Sequence, residues 1–65
     1  MNAYEKMIQL FEEIKDNLSE KDLLYVLELI HEYDTCRGAR EANELEKAII
    51  AFCSTQKNKQ LNQNA

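Results

Sequence analysis

Apolar residues recur at three- and four-residue steps through the first fifty-odd positions, interrupted by one glycine, Gly38, and by no proline. That is the period of an amphipathic α-helix. The first helix is expected from about Ala3 to Leu18. Its apolar positions are Tyr4, Met7, Ile8, Leu10, Phe11, Ile14 and Leu18. At about 100° per residue they cover an arc of roughly 160°. Ser19, with Asp22 three residues later, forms an acidic variant of the capping box, so a second helix should start at about Glu20 after a short turn. A short turn favours antiparallel neighbours.

The second helix, to about Cys36, is the most apolar: Leu23, Leu24, Tyr25, Val26, Leu27, Leu29, Ile30 and Tyr33. A stripe this wide exceeds what one neighbour covers. The second helix is therefore expected at the centre, touching the first helix on one flank and something else on the other. Gly38 marks the next break, since glycine tolerates the left-handed conformation that ends many helices. A helix running on through Gly38 would lose only about 1 kcal/mol relative to alanine and stays open as an alternative. The third helix is expected from about Arg40 to Ser54, with Ala42, Leu45, Ala48, Ile49, Phe52 and Cys53 on one face. Residues 55–65 are polar apart from Leu61 and Ala65 and read as a flexible C-terminal tail. The fold class is all-α, with residues 1–54 closing as a three-helix bundle or as a helical hairpin that completes a bundle by dimerising.

Size and charge narrow the function. Sixty-five residues make one domain with a thin core, which oligomerisation commonly supports. Acids number 12 and bases 8. Two of those bases, Lys57 and Lys59, follow Cys53, so residues 1–53 hold 12 acids against 6 bases. Such a body repels phosphate and anionic lipid. Read as a helix-turn-helix, its recognition helix would carry Glu41, Glu44 and Glu46, which argues against direct nucleic-acid binding. Neither a signal peptide nor a membrane span is legible near the N-terminus, where charges interrupt every apolar run, and a cytoplasmic location is expected.

Catalytic and metal-binding groups find little footing. Cys36 and Cys53 would stand roughly 20 Å apart in a helical hairpin, beyond the ~7 Å a disulfide spans. Reduced cysteines are expected, with a bridge between subunits left open. His31 and Cys36 are five residues apart, about 140° around a helix, and do not share a face. No metal or cofactor is expected. Carboxylate pairs such as Glu12 with Asp16 and Glu28 with Glu32 lie on solvated helix surfaces, away from any cleft that would separate their pKa values.

Ala42-Asn43-Glu44-Leu45-Glu46 resembles the Ser-x-Glu-Leu-Asp stretch of the small helical-hairpin phosphatases that act on bacterial sporulation response regulators. The resemblance covers five residues, with Ala42 where the motif has serine and Glu46 where it has aspartate. Hydrolysis of an aspartyl-phosphate is the enzymatic alternative it implies.

Two surfaces remain as candidates. Leu24, Tyr25 and Ile50 lie off the main faces of their helices and are expected to be exposed apolar anchors. Glu5, Glu12 and Asp16 fall within about 40° of arc on the first helix and could steer a basic partner or imitate nucleic-acid phosphates. The reading is a small, acidic, non-enzymatic protein-binding module that regulates, inhibits or escorts a partner protein through a helical face and associates with itself. An acidic nucleic-acid mimic that blocks a DNA-binding protein is the alternative.

Overall fold

A computed structural model describes residues 2–63. It is an all-α bundle. Helix α1 spans Ala3–Ile14 and passes into a 3-10 turn at Lys15–Asn17; α2 spans Glu20–Thr35 and α3 spans Ala39–Gln63. Asn2 caps α1 by accepting the Glu5 N–H at 2.8 Å, and Ser19 Oγ accepts the Asp22 N–H at 3.2 Å. Both bonds satisfy donors that the first turn of a helix leaves unpaired.

The α-helical part of α1 ends four residues before the expected Leu18. Leu18 is extended, with φ −82° and ψ 145°, and its N–H donates to the Lys15 carbonyl. From there its side chain still packs against the core, which is why it continues the apolar period without belonging to the helix.

The three helices run up, down and up. Tyr33 near the end of α2 reaches Glu46, and Tyr25 earlier in α2 meets Phe52, so α2 and α3 are antiparallel. Tyr4 at the start of α1 stacks on Tyr33, whereas Glu13 and Ile14 at its end meet Lys57 and Gln60, so α1 and α3 are parallel. At 1.5 Å per residue α3 is roughly 37 Å long, which sets the 41 Å long dimension of the molecule.

The central element is α3, not α2 as the apolar content of α2 suggests. Helix α3 packs along both other helices, while α1 and α2 touch little. Met7 and Ile14 from α1, Val26 from α2, and Ile49 and Cys53 from α3 are buried as one cluster. The physical reason lies in the circumference of α3. Leu45, Phe52, Ile49, Cys53, Glu46 and Ile50 are all half-buried or buried and extend over roughly 160° of arc. Ala48, expected on the core face, is exposed.

The break between α2 and α3 also differs from expectation. Cys36 is extended, with φ −71° and ψ 152°, and Gly38 does not adopt a positive φ. A Cβ at Gly38 would meet nothing within 4 Å. The chain leaves α2 through Cys36, and the Gly38 carbonyl accepts the Ala42 N–H at 3.0 Å as α3 begins.

Helix α3 runs through the segment whose polar composition predicts a tail. Lys57 Nζ lies 2.6 Å from Glu13 Oε2, and Gln60 Nε2 donates to the Ile14 carbonyl at 3.3 Å. That bond pairs a carbonyl at the end of α1. Gln56 and Gln60 are half-buried and continue the three- and four-residue steps of Ile49 and Cys53, so α1 holds this turn of helix by polar contacts. Asn64 and Ala65 lie outside the described residues. Removing residues 55–65 is expected to lower stability by about 1–2 kcal/mol, the combined worth of one surface ion pair and one hydrogen bond. Urea denaturation followed by far-UV circular dichroism measures it; an unchanged midpoint would refute a structural role for this segment.

Candidate functional site

The apolar surface left outside the core lies mainly on α2. Leu24 is 60% exposed, Tyr25 48% and Leu27 44%. Val26 marks the inward face of this helix, with no exposure at all. Leu24 and Leu27 are three residues apart, about 60° round the helix, and form one strip. Tyr25 falls roughly 160° from Leu27, on the opposite flank. There its ring meets Phe52 with centroids 4.9 Å apart and planes at 56°, a tilted aromatic contact that ties α2 to α3.

Ile50, expected as a third exposed anchor, is half-buried and packs against the core. The correction follows from the central position of α3: the flank of that helix on which Ile50 lies is covered by a neighbour. Of the three apolar anchors, only Leu24 stands free in the strip. Leu27, read with the core residues of the second helix, joins it. The spacing Glu20, Leu24, Leu27, His31, Asp34 alternates steps of four and three, a single row along a helix. All five are exposed.

The acidic candidates are spread over two elements. Glu5 lies in the first turn of α1, where its charge suits the helix dipole. Glu12 pairs with Lys15 at 2.8 Å; that bond holds the Lys15 ammonium above its usual pKa. Asp16 belongs to the 3-10 turn. Glu5, Glu12 and Asp16 are exposed, but they do not form the continuous helical strip their spacing suggests, because the α-helix stops at Ile14. The adjacent Glu13 is paired with Lys57.

Glu46, which occupies the aspartate position of the phosphatase-like stretch, accepts a 2.7 Å hydrogen bond from the Tyr33 hydroxyl. This bond pushes the Tyr33 phenol up to about 12, with burial and the Glu46 charge adding to it. Cys53 lies in the core, where burial pushes its thiol up and disfavours the reactive thiolate. Cys36 Sγ is 3.1 Å from the Tyr33 carbonyl, and both cysteines are unbridged. Among the described residues, no three His, Cys, Asp or Glu side chains converge as a metal site would require, and no helix is long and apolar enough to cross a membrane.

Comparison with protein-family models, with curated proteins and with solved structures finds no match to this chain.

Two outcomes test this assignment of surfaces. Ile50→Ala is expected to lower stability by about 1–3 kcal/mol, in keeping with a partly buried aliphatic side chain, while Leu24→Ala changes it by less than about 0.5 kcal/mol. Equal effects in urea denaturation would contradict the distinction. Tyr33 gives a second. Its protonated form is favoured in the folded state, so the benefit is present below about pH 10, the ordinary value, and is lost as pH rises through about 12. An alkaline absorbance titration should show a phenol ionising near pH 12, and Tyr33→Phe should remove it. A wild-type titration without that step contradicts the Tyr33–Glu46 bond.

Proposed function

We propose that this protein is a non-enzymatic, cytoplasmic protein-binding module that regulates, inhibits or escorts another protein through the outer face of α2. The observation that carries this reading is the contiguous pair Leu24 and Leu27, exposed on a helix whose other side is buried. Large aliphatic side chains on one row of a helix are the usual anchors when a helix docks against a protein. Glu20, His31 and Asp34, exposed in the same row, would form a polar rim.

The acidic-mimic reading draws less support. A phosphate mimic needs unpaired charges in a regular row, and Glu12 and Glu13 are neutralised locally by Lys15 and Lys57. The phosphatase reading draws less again, since the carboxylate of Glu46 is engaged by Tyr33 and residue 42 is alanine.

Leu24→Lys combined with Leu27→Lys tests the proposal. Both replacements are good helix formers at exposed positions, so the helical circular dichroism signal should persist. Affinity capture from native cytoplasm with the wild-type chain should retain a defined protein that the double variant retains at least about 10-fold less, as loss of two anchors implies. Equal capture by both chains would reject the α2 face as the docking site.

A further inference from the structure

We infer that the outer face of α2 pairs antiparallel with the same face of a second copy of this chain. The inference rests on the reading of that face as a docking surface and names its occupant. Three features of α2 support it. The first is the alternating four- and three-residue spacing of the exposed row, the spacing at which two helices interlock along a seam.

The second is where an antiparallel pairing places the apolar residues. With a two-fold axis between residues 25 and 26, Leu24 of one copy sits against Leu27 of the other, and the contact occurs twice. On one flank of the seam Leu23 comes beside Ile30 of the second copy. Both are only half-buried in the single chain. The seam therefore covers the apolar area that α3 leaves uncovered, and it does so on both copies at once, as a two-fold contact requires.

The third is charge. On the other flank, the pairing sets Lys21 opposite Glu28 of the second copy. At the next layer of the seam it sets Glu20 opposite His31, whose ring N–H can donate to a carboxylate. All four side chains are exposed, and none forms an ion pair among the described residues of the single chain. A parallel pairing would turn the Lys21–Glu28 flank of one copy toward the Leu23–Ile30 flank of the other, without these complements. Flanking charges of this kind choose orientation and partner.

Sedimentation equilibrium of the full chain, over concentrations from about 1 µM to 1 mM, tests the inference together with charge reversal. One helix pair buries little area, so the dissociation constant is expected at the order of 10–100 µM. Lys21→Glu alone and Glu28→Lys alone should each weaken the dimer by about 10-fold, since each creates a like-charge contact twice per dimer. Lys21→Glu combined with Glu28→Lys should restore it. Neither change threatens the helix: the first adds an acid to its N-terminal turn, and the second relieves the like-charged pair Glu28 and Glu32. A wild-type chain that stays monomeric up to 1 mM, or a double reversal that does not restore the dimer, overturns the second copy as occupant. If Leu24→Lys with Leu27→Lys still loses capture of a different protein in that case, the docking surface stands without self-pairing. If capture is also unchanged, both fail.

Discussion

Ile49 and Cys53 must be shielded from water by two helices at once, and the arrangement of the molecule follows from that. They project from the middle of α3 into the cluster completed by Met7, Ile14 and Val26. Among the described residues, these five side chains are the fully buried core. A core so small gains little from each helix pair by itself. The two pairings of α3 are useful because they meet at the same residues: α1 and α2 each cover part of one cluster, and neither needs an extensive contact with the other. The up, down and up order allows this with two short connections, since the 3-10 turn and the extended Leu18 return the chain to the core, and the extended Cys36 turns it back again.

Around that cluster, polar groups set the alignment. The Tyr33–Glu46 bond and the Tyr4–Tyr33 stack fix all three helices at one end. The Lys57–Glu13 pair and the bond from Gln60 to the Ile14 carbonyl fix α1 against α3 at the other. Surface contacts of this type contribute little each. Their value here is positional, because a five-residue apolar cluster allows helices to slide and directional bonds do not.

Much of this was legible in the residues. The helical class, the Ser19 cap and the start of α2 follow from periodicity and a local hydrogen bond, both of which are short-range. The Asn2 cap was missed although the same rule covers it, an Asn placed just before the first periodic residue. What was not legible depends on comparing helices. A broad apolar circumference implies a central helix, and α2 has the most apolar residues; yet Ile50, which reads as surplus on a narrow-faced α3, is the second flank of a wide one. Counting Glu46 and Ile50 with the inward residues gives α3 a broader inward face than α2. The last turns of α3 were hidden for a related reason. Gln56 and Gln60 keep the period of Ile49 and Cys53 but are polar, and a reading that follows hydrophobicity ends the helix where the grease ends.

The same shift of the centre from α2 to α3 determines what α2 can do. Had α2 been the middle helix, Leu24 and Leu27 would face a neighbour and α2 would keep little apolar surface in water. As an outer helix packed on α3 along one side, it keeps its inward stripe for Val26, Leu29 and Tyr33 and leaves the Leu24–Leu27 row in water. Leucines this exposed contribute little to the monomer, and polar residues in their place would be compatible with the fold. Solubility alone would favour that exchange. The charges beside the row, Lys21 and Glu28 on one side and Glu20 and His31 along it, are likewise unused by ion pairs within the single chain. Apolar area and complementary charge thus coincide on a helix face that neither the core nor the inter-helix bonds require, and a function that depends on contact with protein gives that face a reason to exist.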